Sequence, residues 1–222
     1  MRLSVPQTQV RSLKIELAPL RRDSLSSLVS PGLQSHIVAR YWGAESAPTI
    51  EDEVWRYDYI RTSKSTMTWG IWLNEGSRKL IGLTNFHKIE HGRTGLKQAR
   101  SATLISNRAY WGRGIATRVN MARTWFGFTE LGITRIRSSV AQSNIASRKA
   151  LEHCGYVHIG VERNAGYSDG ALYHEDKFEC VNPLDPFWST WWGSDEPPQQ
   201  SARARAVSNG AIEWAKANIE LP

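Results

Sequence analysis

Two glycines one residue apart, Gly112 and Gly114, stand directly before an amphipathic helical pattern and shortly after a strand-like segment. Glycine lets the backbone adopt angles barred to other residues and approach a ligand closely. The first amide groups of a helix have no internal partner and lie at the positive end of its dipole. These features are typical of a phosphate-binding turn, although a Gly-x-Gly pair also marks ordinary tight turns. The turn lacks the Gly-Lys-Ser/Thr of a Walker loop and the third spaced glycine of a dinucleotide fingerprint.

Basic residues are concentrated around this turn. Residues 92 to 150 contain eleven lysines and arginines against one acidic residue, Glu130, and their net charge of +10 exceeds the +7 of the whole chain. Such a field attracts polyanions, either nucleic acid or a ligand with several phosphates. A solvated basic face would show the same excess. Its position around a candidate phosphate turn favours a phosphorylated ligand.

The elements that position the turn follow from the residue pattern around it. A helical stripe of Ile115, Val119, Ala122 and Phe126 follows the glycines, and residues 133–140 then predict a strand. Asn144 is expected to cap a second helix that runs to residue 154 and ends at Gly155. The predicted order around the turn is therefore strand, turn, helix, strand, helix.

The rest of the chain predicts a mixture of strands and helices. Residues 23–29 have helical spacing that stops at Ser30-Pro31-Gly32, and Thr49 with Asp52 resembles a capping box for a further helix. Alternating apolar residues or turn signals predict strands over 13–17, 67–73, 80–89, 98–106, 156–163 and 171–181.

Composition changes after Val181. The chain is broken at Asn182-Pro183, Asp185-Pro186 and Pro197-Pro198, and Trp188, Trp191 and Trp192 cluster between these breaks. Residues 193–209 predict a polar linker, and residues 211–219 a short terminal helix. We therefore expect one catalytic or binding domain over residues 1–181 and a tail over residues 182–222.

Composition also excludes several classes of protein. The 222 residues are 41% hydrophobic and 22% charged, which is typical of a globular chain. Cys154 and Cys180 alone make neither a disulfide framework nor a four-ligand zinc site, and we expect no metal. No apolar run approaches the roughly 18 residues of a membrane span, and the N-terminus has no signal-peptide core. We expect a cytoplasmic protein, monomeric or homodimeric, without a membrane partner.

Two segments resemble the GCN5-related N-acetyltransferases (GNAT), and in particular their RimJ/RimL-like branch. Residues 110–117, Tyr-Trp-Gly-Arg-Gly-Ile-Ala-Thr, resemble the pyrophosphate loop Gln/Arg-x-x-Gly-x-Gly/Ala, with Trp111 at the Gln/Arg position. Residues 143–156 resemble the Asn-x-x-Ser-x-x-x-Leu-x-x-x-Gly-Phe segment of that branch. The resemblance covers residues 12 to 181, and the order and spacing of the two motifs are more specific than either motif alone.

The resemblance implies an α+β fold with a central, mostly antiparallel sheet, flanked by helices and splayed where acetyl-coenzyme A binds as the acyl donor. The loop amides would bind the pyrophosphate, a splayed strand would hold the pantetheine arm, and the second motif would hold the arm from the other side. The implied cofactor-binding residues are Leu104, Ile105, Ser106, Trp111, Gly112, Arg113, Gly114, Ile115, Ala116, Thr117, Asn144, Ser147 and Arg148.

No residue is identified by sequence as the base that takes the proton of the attacking amine. Ser101 and Leu151 stand where relatives carry a glutamate and a tyrosine. The candidates that are left are side chains able to titrate or to reach the thiol end of the donor, with a water-mediated base as the alternative. They are Glu90 and His91 at the end of a central strand, His87 before them, His174 or Glu175 on the last hairpin, and Ser147.

The leading interpretation is an N-acetyltransferase that acts on a primary amine. The acceptor would be either the N-terminus of a protein or peptide, with ribosomal proteins among the candidates, or a small-molecule amine. One alternative keeps the fold but uses another acyl-coenzyme A, or binds coenzyme A as a non-catalytic regulator. A further alternative is a basic module that binds nucleic acid or the ribosome.

Overall fold

The computed structural model describes residues 1–5, 13–42, 48–93, 95–185 and 198–221. Nine strands in these residues form one sheet in the order β7-β8-β6-β5-β4-β3-β2-β1-β9. The strands are β1 (Arg2–Val5), β2 (Leu13–Ala18), β3 (Met67–Glu75), β4 (Ser77–His91), β5 (Lys97–Ile105), β6 (Arg135–Ala141), β7 (Val157–Ser168), β8 (Ala171–Val181) and β9 (Ile219–Glu220). The helices are α1 (Ser26–Leu28), α2 (His36–Ala39), α3 (Ile50–Thr62), α4 (Ile115–Thr129), α5 (Ile145–Glu152) and α6 (Gln199–Asn218).

Helices cover both faces of the sheet. On one face α4, α5 and α6 bury a large apolar cluster that includes Val119, Phe86 and Ile136. On the other face α1 and α2 bury a smaller cluster around Leu28 and Leu83, against which α3 also packs. The predicted α+β architecture with a mostly antiparallel sheet is therefore confirmed.

The sheet opens between β5 and β6, its one parallel pair within the described strands. Residues 98–100 of β5 pair with residues 135–137 of β6, and the pairing ends there. Immediately beyond, the hydroxyl groups of Ser101 and Ser138 lie 2.7 Å apart, and Ser138 Oγ donates to the backbone oxygen of Ser101 at 3.0 Å. From this closed end the two strands separate, which confirms the predicted splay.

Local sequence signals account for the helix ends. The predicted capping box of α3 is present, because the Thr49 side chain accepts from the Asp52 amide while the Asp52 carboxylate accepts from the Thr49 amide. The predicted cap of α5 is also present, with Asn144 Oδ1 accepting from the Ser147 amide at 3.1 Å. After α5 the chain turns at Gly155, whose φ of +83° favours glycine.

The prediction of one continuous helix near the N-terminus is wrong. Residues 23–29 do not make one helix: a 3₁₀ turn (Arg22–Ser24), α1 and a π-helical segment (Val29–Leu33) follow one another. Ser30 is extended, with φ −115° and ψ 127°. It precedes Pro31, and the proline ring disfavours the helical conformation of the residue before it.

The C-terminal prediction is also wrong. The terminal helix spans twenty residues, Gln199–Asn218, and so includes most of the predicted polar linker. Ile212 and Ala215 of this helix are buried in the large cluster. After the helix, β9 extends the sheet by pairing with β1, and the sequence pattern predicted neither of these two strands. Small and charged residues alternate in the first half of this helix, and only one narrow stripe of it is apolar. The residue pattern therefore did not indicate a long helix. Trp188, Trp191 and Trp192 lie outside the described residues.

None of the helices in the described part of the chain has the length and apolar character that a membrane crossing requires.

Candidate functional site

A cavity of about 890 Å³ occupies the opening between β5 and β6. This volume lies in the range of small-molecule and cofactor sites. Two groups of residues line it. The loop half comprises lining residues between Tyr110 and Thr117 and between Asn144 and His153; the histidine half comprises Arg40, Tyr41, Trp42, Arg56, Asn85, His87, Tyr173 and Glu175.

The loop half presents backbone donors. Gly112 and Gly114 have φ of +70° and +72°, and a side chain added at either would meet no atom within 4 Å. Gly114 is the N-cap of α4, and no side chain caps the helix there. The first amides of α4 therefore face open space at the positive end of the helix dipole. Such an arrangement fits a pyrophosphate group.

The two sides of the opening come from α5 and β5. Asn144 and Ser147 both line the cavity. Asn144 Oδ1 is used by the helix cap, whereas its Nδ2 has no protein partner within the described residues. On the opposite side Leu104 and Ile105 line the cavity, and Trp111 Nε1 donates to the Ile105 oxygen at 2.8 Å. That bond ties the loop to the end of β5.

Two of the implied cofactor-binding residues lie outside the cavity lining. The buried Ser106 hydroxyl donates to the Ile81 oxygen at 3.1 Å, so it holds β4 and β5 together. Arg148 shares with Ile145 and Glu152 the face of α5 that turns away from the cavity. Its guanidinium lies 3.3 Å from Glu152 and 3.2 Å from Asp176. All the other implied residues, Leu104, Ile105, Trp111, Gly112, Arg113, Gly114, Ile115, Ala116, Thr117, Asn144 and Ser147, line the cavity.

Acidic residues elsewhere in the fold neutralise part of the basic stretch. Arg135 and Arg137 both pair with Glu179 of β8, at 3.6 and 3.3 Å. Arg113 and Lys149 line the loop half instead. The net charge of the cavity lining is therefore smaller than that of residues 92–150, because only a few of these basic side chains line the cavity.

Three of the candidate bases lie away from the cavity. Glu90 and His91 are exposed at the end of β4, and Glu90 accepts a long hydrogen bond of 3.5 Å from Gln98. The backbone amide of Asn164 donates to His174 Nδ1 at 3.0 Å, so that imidazole faces β7. None of the three lines the cavity.

His87 is the histidine of β4 that lines the cavity. Its Nδ1 lies 3.3 Å from Asn85 Oδ1. Because a carbonyl oxygen only accepts, Nδ1 carries the hydrogen, and Nε2 is the basic nitrogen of the neutral ring. Burial, reinforced by the charges of Arg100, Lys88 and Arg123, lowers the pKa of His87. The imidazole is therefore neutral at physiological pH and can accept a proton.

Glu175 brings a carboxylate to the histidine half. It lines the cavity and accepts from Lys177 Nζ at 2.7 Å. Lys177 also pairs with Glu162 and donates to Ser139 Oγ at 2.9 Å. The apolar Phe178 and Cys180 are buried on one face of β8. Because side chains alternate between the two faces of a strand, His174 lies on that same face, whereas Glu175 lies on the other face and lines the cavity.

Sequence patterns gave no sign of several residues in the histidine half. Tyr41 and Trp42 follow α2, and Arg40 Nη2 donates to the Tyr41 hydroxyl at 3.0 Å. Asp169, at the tip of the β7–β8 hairpin, pairs with His36 and with Arg40 Nη1, the latter at 3.2 Å. These contacts join the hairpin to α2 and to Arg40, which lines the cavity. Of Trp42, Trp55, Trp69 and Trp72, just Trp42 lines the cavity.

Comparison with known proteins agrees with the geometry. The sequence profile of the acetyltransferase (GNAT) domain matches residues 14–157. The uncharacterized N-acetyltransferase YoaA of Bacillus subtilis is 28% identical over 153 residues, which are 67% of this chain and 82% of that protein.

Two solved structures share the fold. Mycobacterium smegmatis RimJ in complex with CoA-disulfide has a TM-score of 0.69 and 19% identity, over 95% of this chain and 94% of that one. Spermidine N-acetyltransferase from Vibrio cholerae, in complex with CoA and spermine, has a TM-score of 0.67 and 18% identity, over 76% of this chain and 95% of that one. The match to RimJ extends over nearly the whole chain. The chain therefore belongs to the GNAT acetyltransferase family, whose acetyl donor is acetyl-coenzyme A.

Proposed function

We propose that this protein transfers the acetyl group of acetyl-coenzyme A to the α-amino group of a protein or peptide, with His87 as the group that takes the amine proton. The observation that carries the proposal is the position of a neutral histidine in the same cavity as the loop half. The loop half would hold the donor and the histidine half the acceptor, so that the two meet within one cavity.

The reaction needs the amine in its neutral form. The amine nitrogen attacks the thioester carbon, the carbon–sulfur bond breaks, and the electron pair leaves with sulfur. His87 Nε2 would accept the proton that nitrogen loses, while Asn85 holds the ring through Nδ1. Because the thioester is already activated, positioning of the two reactants supplies a further part of the rate.

The charges of the histidine half disfavour a polyamine as acceptor. Arg40 and Arg56 line it, and its one carboxylate within the described lining, Glu175, is already bonded to Lys177. A polyamine carries several ammonium groups, which such a surface would repel. A peptide N-terminus presents one amine followed by a neutral backbone, and it fits these groups better.

Mass spectrometry of an amine panel tests the proposal. The panel contains ribosomal-protein N-terminal peptides, the same peptides with a blocked N-terminus and an internal lysine, a simple primary amine, and spermidine. Acetylation of the free α-amine, with little on the blocked peptides, supports the proposal. Preferential acetylation of spermidine, or no acetylation of any amine in the panel, contradicts it.

A further inference from the structure

Arg123 is a buried cation that has no anionic partner in the described part of the chain. The residue is 1% exposed, yet it belongs to the lining of the cavity. Its Nη1 donates to Thr84 Oγ1 at 2.9 Å, to the Ala102 oxygen at 3.0 Å and to Thr103 Oγ1 at 2.7 Å. Among the described residues, its Nε and Nη2 have no hydrogen-bond partner and its guanidinium forms no salt bridge.

The groups that contact Arg123 in the described structure are neutral. Thr103 passes its own hydrogen to Asn120 Oδ1 at 2.7 Å, and the ring centroid of Phe86 lies 5.8 Å from the guanidinium carbon. Hydrogen bonds to neutral oxygens offset only part of the cost of burying a charge. An anion formed in the adjoining cavity would be stabilised by Arg123, because interactions between charges are strong where water is excluded.

The position of Arg123 along the cavity indicates which anion this is. Its contacts Ala102 and Thr103 directly follow Ser101, which marks the closed end of the opening. The donor's phosphates fit the opposite end, at Gly114 and the first amides of α4. The sulfur is at the far end of the pantetheine arm from those phosphates, so it comes to the closed end.

We propose that Arg123 stabilises the thiolate of coenzyme A as it leaves. The thioester carbon–sulfur bond breaks toward sulfur, which keeps both electrons and gains a negative charge beside the guanidinium. No proton has to reach sulfur during this step, and the thiolate takes one from water after release. The inference rests on the proposed function only in placing the donor in this cavity, and it holds for any acceptor. Because the charge of Arg123 also contributes to lowering the pKa of His87, the thiol pKa and not kcat is the readout that assigns the effect to sulfur.

The test is the pKa of the coenzyme A thiol in its complex with the full chain, followed by the ultraviolet absorbance of the thiolate during a pH titration. In the wild-type complex the thiol pKa should lie at least about one unit below that of free coenzyme A, a tenfold effect. An equal or higher pKa in this complex overturns the proposal without any variant.

Variants then assign the effect to Arg123. Arg123→Met should raise the thiol pKa of the complex by at least about one unit and lower kcat about tenfold or more, with little change in KM for acetyl-coenzyme A. Arg118→Met is the matched control, because Arg118 lies on the same helix over the ring of Trp214 and outside the cavity lining; it should change neither quantity. A thiol pKa that stays low in Arg123→Met overturns the proposal.

Calorimetry on the same samples separates this inference from the proposed function. Absence of coenzyme A binding to the wild type would overturn both, whereas binding with an unperturbed thiol would overturn the role of Arg123 alone.

Discussion

In the loop half of the cavity, short stretches of sequence make the site, whereas in the histidine half the side chains come from distant parts of the chain. Residues 111–117 contribute consecutively to the loop half, and their contribution is mainly backbone amides at a helix terminus. The histidine half takes Arg56 from α3, His87 from β4 and Glu175 from β8. A ligand with the same phosphates in every turnover can be bound by backbone geometry alone. Proton transfer and acceptor choice need particular side chains, and only the folded sheet brings these together.

The largest expected effect is in the histidine half. His87→Ala removes the proposed proton acceptor, and kcat should fall about 100-fold, within the range that general base catalysis contributes. His91→Ala is the matched control, since His91 lies on the same strand but is exposed outside the cavity. Steady-state kinetics with a peptide acceptor measures both, and equal effects of the two substitutions would contradict the role of His87.

The pH dependence of the wild-type rate sharpens this assignment. Because the pKa of His87 is lowered, its neutral form persists to lower pH than that of an ordinary histidine. Activity should therefore be lost as the pH falls through that lowered pKa, below the ordinary value of 6.5. A pH profile of kcat with the acid limb above that value would contradict the assignment.

The next effect is in the loop half. Gly114→Asp places a strained residue and a negative charge at the N-cap of α4, where the pyrophosphate fits. The affinity for coenzyme A should fall at least tenfold, about 1.4 kcal/mol. Gly132→Asp is a control for backbone strain, because Gly132 also has a positive φ of +62° and open space but lies outside the cavity lining. Similar losses of affinity in both variants, measured by calorimetry, would show that strain rather than charge is responsible.

A smaller effect is expected at Asn144. Asp keeps an oxygen that caps α5 but lacks the Nδ2 donor, so stability should be retained while coenzyme A affinity falls about threefold to tenfold. Thermal unfolding and calorimetry on the same sample measure the two quantities. If affinity is also unchanged, Asn144 serves the helix cap alone.

The difference between the halves explains what could be predicted from the sequence. Gly114 and Asn144 act through local geometry, which spacing reveals, and both lie where their motifs indicated. His87 and His91 look equivalent in the sequence because they are four residues apart on one strand. The register of β4 against β5 shifts between His87 and Glu90, and Lys88 has a φ of +50°. Phe86 and Ile89 both pack against the same apolar cluster, which regular alternation would not allow.

Long-range pairing also escaped the sequence analysis. Arg148 lies within the second motif, but Asp176 of β8 pairs with it on the far face of α5. In the sequence Arg123 is one of the eleven basic residues between 92 and 150, and its burial follows from contacts with Thr84 of β4 and Thr103 of β5. No spacing within α4 contains that information.

The most direct test of two separable halves is a calorimetric titration of acetyl-coenzyme A into His87→Ala. If the loop half holds the donor by itself, the dissociation constant should stay within about twofold of the wild-type value, under 0.5 kcal/mol, although turnover is lost. A dissociation constant that rises tenfold or more, in step with the loss of turnover, would contradict this division of the cavity.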